Sequence, residues 1–404
     1  NEARIYPNKN LFSHIIGNVD TDQNGISGIE LYLNKEILSK DKIDQPIVLS
    51  LDQNIQFIIR ETLKDSIDMF SAKGASSILL DAQSGKILSM ISLPDFNPNN
   101  RNDLANQKNL FNKNTKGLYE LGSIFKTFVI ANALEKKIVT RDKVYTNLPS
   151  QVMCGKFPIK EYKYSKDKKN LSVNDILVES SNIGTIRIIQ DSGLNSYRKF
   201  LEDLEIFNYS EIELPEVSIS TKKRWGKCNT LTAGYGHGLN TTPLQLTMAF
   251  AAIINGGNLL EVSLLENKAV KIKSKVISKE NSETMREILR TNVDSKYERG
   301  GSGRKADIKG YNVIGKTGTA EKPHETSKGY SNEILNIFTS AFKINKKFYV
   351  LTVIIDEPQG SKKLWGHNRR EAGWNAGYVN GQIIKKIGPI LNTLSMNEYV
   401  NLNK

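Results

Sequence analysis

The stretch Gly122-Ser123-Ile124-Phe125-Lys126 sets a hydroxyl and an amine three positions apart. On a helix, positions i and i+3 share a face, so Ser123 and Lys126 point the same way within reach of each other. A serine hydroxyl is a poor nucleophile at neutral pH. A lysine whose pKa is lowered by burial can serve as its base without a histidine. Ser123 also falls at an expected helix N-terminus, where backbone N–H groups favour a developing negative charge. Ser-x-x-Lys alone carries little information, because it recurs at Ser39, Ser165, Ser196, Ser220, Ser302 and Ser340. Gly122 and the apolar Phe125, Phe128, Val129 and Ile130, which would bury the lysine stem, set the copy at Ser123 apart.

Two further motifs join it. Ser180-Ser181-Asn182 lies within a helical stretch, near an expected helix junction, although Ser-x-Asn recurs at Ser172 and Ser395. Lys316-Thr317-Gly318-Thr319 holds the only Lys-[Ser/Thr]-Gly of the chain and follows the strand-like run Tyr311–Ile314. A strand bearing a lysine, two threonines and a glycine suits a substrate carboxylate. The lysine supplies charge and the hydroxyls hydrogen bonds, while a residue with no side chain lets a peptide lie alongside. Read structurally, the same four residues form an ordinary exposed edge strand.

The elements that must position these residues follow from periodicity. Ser39–Pro46 reads as a polar linker and Ile47–Leu51 as strand-like. Asp52 caps a helical pattern through Ile55, Ile58, Ile59, Leu63 and Ile67. Ser76–Asp81 and Lys86–Ser92 form a hairpin, and PDFNPNN at 94–100 is irregular. Helical patterns cover Ser123–Lys137, Ser172–Gln190, Asn195–Leu204 and Pro243–Asn255. Thr242 and Pro243 give the last of these its N-cap and first residue. Strands return at Tyr311–Lys316, Ile334–Ile344 and Phe348–Asp356, and a terminal helix spans Ala376–Ile387, with Gly388-Pro389 as its stop or kink. Strands, a helical middle, strands and a final helix make an α+β fold, a mostly antiparallel sheet flanked by helices.

The chain has 404 residues, 39% hydrophobic and 25% charged. That supports one large domain plus a smaller one and excludes disorder, collagen and low-complexity classes. No apolar run approaches the roughly 18–20 residues of a membrane span. The start lacks Met and an apolar leader, so a removed anchor is expected. The net charge of +13 comes without zinc-finger spacing or an RNA-recognition signature, so nucleic acid is not expected as a partner. Cys154 and Cys228 form no Cys-x-x-Cys site; two unpaired thiols are expected, with one bridge as the alternative in an oxidising compartment. The four histidines show no His-x-x-x-His spacing, so no zinc site is expected.

The order Ser-x-x-Lys, Ser-x-Asn, Lys-Thr-Gly resembles the signature of the penicillin-recognising serine enzymes. The chain resembles the class B penicillin-binding proteins over nearly its whole length, most closely the division-specific peptidoglycan D,D-transpeptidases of the FtsI type. Arg4-Ile5-Tyr6-Pro7, His14–Gly17 and Gly28-Ile29-Glu30 look like the end of that family's non-catalytic pedestal. Asp81–Gly85, Asn97–Asn100, Tyr235–Gly238, Gly300–Lys305 and Gly310–Lys322 look like landmarks of its catalytic domain. Leu121 departs from the proline usual there, which should alter loop stiffness rather than chemistry.

The resemblance implies the penicillin-binding transpeptidase (serine β-lactamase-like) fold. Residues 1–45 would be a pedestal remnant, 46–395 the transpeptidase domain and 396–404 a tail. It implies that Ser123 attacks the penultimate D-Ala of a peptidoglycan stem and that Lys126 takes its proton. Ser180 would relay a proton to the leaving amine, and Asn182 would hold Lys126 and the substrate amide. Lys316 would shape the field around Ser180. Thr317, Gly318 and Thr319, with Ser181, would bind substrate, and the N–H groups of Ser123 and Thr319 would form the oxyanion hole. No metal or cofactor is implied. The implied partners are D-Ala-D-Ala stem peptides, β-lactams, a membrane glycosyltransferase and division proteins, and the implied place is the periplasm, below an inner-membrane anchor. Alternatives sharing these motifs are an elongation-specific transpeptidase, a β-lactamase, a D,D-carboxypeptidase, a β-lactam sensor, or a wall-binding module without catalysis.

Overall fold

The computed structural model describes residues 4–37, 46–162, 165–220, 225–323 and 329–402. The expected linker lies outside these residues apart from Pro46, as do the last two residues of the tail. Helix α1 (Gln53–Met69) begins where the Asp52 carboxylate accepts the Ile55 N–H at 2.8 Å. The cap satisfies an orphan donor, and buried Ile55, Ile59 and Leu63 give the helix one apolar face to hide. The hairpin β1 (Gly74–Asp81) and β2 (Ile87–Leu93) follows.

The middle of the chain carries α2 (Phe125–Glu135), a hairpin of β3 (Gln151–Cys154) and β4 (Phe157–Lys160), α3 (Val173–Val178), α4 (Asn182–Ser192), α5 (Lys227–Ala233), α6 (Pro243–Ile254) and α7 (Lys279–Val293). Then come β5 (Ile314–Pro323), β6 (Tyr330–Ile344), β7 (Lys347–Asp356) and α8 (Ala376–Leu402). Five strands join into one antiparallel sheet in the order β5-β6-β7-β1-β2, with β5 at an edge.

Alternation along the strands feeds two cores, because successive side chains point to opposite faces. Ile78 and Leu80 join Phe128 and Phe250 on the helical side, while Leu79 joins Ile59, Leu63, Ile383 and Ile384 on the side of α1 and α8. All twelve residues of α6 are buried, as a helix apolar on every side requires. Its start is a Thr242–Gln245 capping box with Pro243 at the first position. Among the described residues no helix is long and apolar enough to cross a membrane.

Residues 4–37 are bonded to the rest. Tyr6 and Asn99 exchange two hydrogen bonds of 2.9 Å, Gln56 donates to the Leu11 carbonyl at 3.0 Å, and Ile15 and Ile29 enter the larger core.

Several expectations need correction. The run Ser172–Gln190 is two helices, broken between Val178 and Asn182. Strand β5 begins at Ile314 rather than Tyr311, and α8 continues through Pro389 to Leu402. Of Ile47–Leu51, only Leu49 makes a strand bridge, to Leu265. The thiols are not free: Cys154 at the end of β3 and Cys228 in α5 form a disulfide, their Cα atoms 5.6 Å apart. The fold brings them to bridging distance, a closeness their sequence separation of 74 conceals.

Candidate active site

Ser123 sits in a single 3₁₀ turn, Gly122–Ile124, that runs into α2. This turn is pressed against β5. Gly122 has φ +60, and a side chain there would begin 2.6 Å from the Thr319 carbonyl oxygen. A side chain at Gly318 would begin 2.4 Å from the Leu121 carbonyl oxygen. Gly318 therefore first serves close packing of strand against turn. The two approaches place half-buried Ser123 beside Lys316–Thr319.

Ser180 sits in the break between α3 and α4. The Ser180 N–H donates to the Leu177 carbonyl at 3.2 Å and the Ser181 N–H to the Ile176 carbonyl at 2.9 Å. That pair of bonds is the Schellman ending of a helix, whose penultimate donor normally belongs to a left-handed glycine. Here the residue is serine, with φ +54. A non-glycine residue in that region costs about 1–3 kcal/mol and is held only by its surroundings. The next residue, Ser181, turns the chain around as N-cap of α4, its Oγ accepting the Gly184 N–H at 2.9 Å.

Two buried lysines converge on the strained serine. Lys126 Nζ donates to the Ser180 carbonyl, to Ser180 Oγ at 3.1 Å and to Asn182 Oδ1 at 2.8 Å. Lys316 Nζ reaches Ser180 Oγ from the other side, also at 3.1 Å, with Thr317 O at 3.3 Å. Both side chains are fully buried. Burial holds the Lys316 ammonium down to a pKa of about 7, so near neutral pH it exchanges its proton readily.

Glu161, which no sequence motif marks, anchors the same loop. It follows β4 and accepts from Ser181 Oγ at 2.5 Å, from the Asn182 N–H at 2.9 Å and from the Ile183 N–H at 3.2 Å. A carboxylate there satisfies the orphan donors at the start of α4. The neighbouring Lys160 carbonyl accepts the Asn182 side-chain amide at 3.1 Å, so Asn182 is held with its oxygen towards Lys126. The only sequence signal was an acid before a helix, some twenty residues too early.

The threonines follow the lysine along β5, and Thr317 Oγ1 lies 3.5 Å from Lys316 Nζ. Thr317 Oγ1 lies 2.6 Å from Ser302 Oγ, and Thr319, exposed, donates to Asn336 Oδ1 at 2.9 Å. On the rim, Glu120 accepts from the Tyr330 hydroxyl at 2.8 Å and pairs with His237 at 3.3 Å, which raises the His237 pKa. The structure thus brings together all the residues expected from sequence: Ser123, Lys126, Ser180, Ser181, Asn182 and Lys316–Thr319. A hydroxyl at a turn, two buried amines able to exchange protons through a second hydroxyl, and an edge strand that carries two threonine hydroxyls make a site suited to acyl transfer.

Residues 75–373 match the penicillin-binding protein transpeptidase domain. The chain is 29% identical to the FtsI protein of Caulobacter vibrioides over 410 residues, covering 99% of this chain and 68% of that one. It is 30% identical over 393 residues to the peptidoglycan D,D-transpeptidase FtsI of Buchnera aphidicola, covering 90% and 67%. The fold superposes on penicillin-binding protein 3 of Mycobacterium tuberculosis with a TM-score of 0.82 at 23% identity, covering 96% of this chain and 91% of that one. That protein also has crystal structures with aztreonam and with ampicillin. The chain belongs to the penicillin-binding protein transpeptidase family, as a class B D,D-transpeptidase of the FtsI type. It is accordingly a serine acyltransferase of peptidoglycan synthesis.

Proposed function

We propose that this chain is the periplasmic catalytic part of an anchored enzyme that cross-links stem peptides during septal wall synthesis. In this reading residues 1–45 are a pedestal remnant, 46–395 the transpeptidase domain and 396–404 a tail. Ser123 Oγ attacks the carbonyl carbon of the penultimate D-Ala while its proton passes to Lys126. The N–H groups of Ser123 and Thr319 hold the oxyanion. The C–N bond then breaks, and the leaving D-Ala amine takes a proton relayed through Ser180. An amine from a neighbouring stem attacks the acyl-enzyme, loses its proton by the same route and frees Ser123. Asn182 orients Lys126, Lys316 tunes Ser180, and Thr317, Gly318 and Thr319 seat the substrate's end. Ser181, expected from the resemblance to bind substrate, is instead fully buried with its hydroxyl held between Glu161 and the Gly184 N–H, so it shapes the loop.

The observation that carries this reading is the convergence of Lys126 and Lys316 on Ser180 Oγ, each at 3.1 Å. A proton can cross between two amines through such a shared group. The aztreonam and ampicillin complexes of the mycobacterial protein support β-lactams as ligands of this site too. The FtsI name of the curated relatives supports the septal role and division partners.

The test is labelling with a fluorescent penicillin followed by mapping of the modified peptide. One adduct on Ser123, lost in Ser123→Ala, is expected; an adduct elsewhere refutes the assignment. For the septal role, the full-length protein should restore septa to cells depleted of their own FtsI. Rescue of elongation alone would move the enzyme to that pathway.

A further inference from the structure

A ledge of cations and indoles starts at Thr317 and has no part in the chemistry above. Ser302, bonded to Thr317, is three residues before Lys305, and Gly373, packed on the Ser302 carbonyl, adjoins Trp374. Lys305 Nζ lies 4.5 Å from the Trp365 ring and 4.7 Å from that of Trp374. The Arg369 guanidinium lies 5.2 Å from the Trp374 ring. The indoles hold each other edge to face at 5.2 Å, and Trp365 Nε1 donates to the Trp374 carbonyl at 3.0 Å. Stacking on rings fixes cations without neutralising them.

This ledge is tied to the substrate strand. Asn336, which accepts the Thr319 hydroxyl, donates through its amide to the Arg370 carbonyl, and Asn375 donates to that same carbonyl at 3.0 Å. The charge is one-sided. Residues 358–375 hold Lys362, Lys363, Arg369 and Arg370 against the single acid Glu371, and Arg304 and Lys305 add two more cations. Among the described residues none of these six cations is in an ion pair; Asp307 and Glu357, near them in sequence, pair elsewhere, with Arg290 at 2.8 Å and with Lys322 at 2.6 Å. His367, whose ring is 4.7 Å from that of Trp374, has a buried Nδ1 with no hydrogen-bond partner among the described residues.

We infer that this ledge is a specificity subsite for an acidic peptide: it takes a side carboxylate of the donor stem, while Thr317 and Thr319 take the terminal one. The inference rests on the D,D-transpeptidase reading and adds which donors are preferred. Fixed, unpaired cations beside an edge strand complement a peptide carrying negative charge upstream of its reacting end.

The test compares two soluble peptides ending in D-Ala-D-Ala, one with free side carboxylates and one with those groups amidated. D-Ala release by the parent should show kcat/KM about fivefold higher for the free acid, a difference that shrinks with added salt. In Arg369→Gln, and more fully in Arg369→Gln with Lys305→Gln, the two peptides should converge while penicillin acylation of Ser123 stays at the parent rate. Equal turnover of both peptides by the parent overturns the inference. So does a parallel loss of penicillin acylation in the variants, which makes the ledge a support for the fold. Cation-dependent binding to phosphatidylglycerol vesicles without peptide discrimination overturns it in favour of a lipid surface. Absence of penicillin labelling in the parent sinks the transpeptidase reading itself, and this inference with it.

Discussion

Lys126 and Lys316, from a helix and an edge strand, donate to one atom, the Oγ of Ser180, each at 3.1 Å. Burial alone holds Lys316 to a pKa of about 7. Its charge is therefore lost and gained in the range where the enzyme works.

The first prediction is a pH effect. β-Lactam acylation by the parent should show an inflection near pH 7 as Lys316 titrates. Lys316→Arg keeps its charge at all working pH, so its slower acylation should lack that inflection. An unchanged inflection in the variant would assign it to another group. Stability carries the opposite side of the same shift. Between pH 7 and the ordinary lysine value the native state binds fewer protons than the unfolded chain, so unfolding free energy should rise with pH across that window.

The second prediction separates stability from activity at Ser180. Ser180→Gly removes the left-handed strain at φ +54 and with it the shared hydroxyl. Stability should rise by about 1 kcal/mol, offset in part by the freer unfolded chain, while acylation falls at least tenfold. Ser180→Ala should lose activity without the gain. Thermal melts that rank the two variants in the other order would show that the strain is not stored there.

How far the site was legible depends on where its parts meet. Lys316–Thr319 announced itself, because a strand-like run precedes a motif found once in the chain. Ser123 could be picked from seven copies of its pattern only through its apolar neighbours. A junction near Ser180 was expected, but not its sharpness, because serine stands where a helix stop normally shows glycine. Helix α7 went unseen since its buried face mixes Met285, Ile288 and Leu289 with Ser282, Thr291 and Asn292, which blurs the apolar period. Glu161 and the disulfide depend on the β3–β4 hairpin and its neighbours, contacts that no local pattern encodes.

The third prediction concerns Glu161. Glu161→Gln keeps its shape but weakens acceptance from Ser181 and the N–H groups of Asn182 and Ile183. Charged acceptors are worth roughly 1.5–3 kcal/mol against about 1 for neutral ones. Acylation should fall about tenfold through its rate term, with initial penicillin binding little changed, and Glu161→Asp should recover part of it. A loss confined to binding would mean that Glu161 touches the ligand rather than the loop.

The last prediction joins the disulfide to the same loop. Cys154 pairs with Phe157 across the β3–β4 hairpin, which leads through Lys160 to Glu161, and Cys228 pins its end to α5. Removing a bridge of this kind costs about 2–4 kcal/mol, because the unfolded chain regains the freedom of a long loop. Cys154→Ala with Cys228→Ala should therefore lower the melting temperature. It should also slow acylation, because the hairpin that holds Glu161 is no longer tethered at its far end. In the Glu161→Gln background the same two changes should slow acylation much less, while still lowering the melting temperature by the full amount. Acylation losses that simply multiply across the two backgrounds would show that the bridge stabilises the domain without reaching the Ser180 loop.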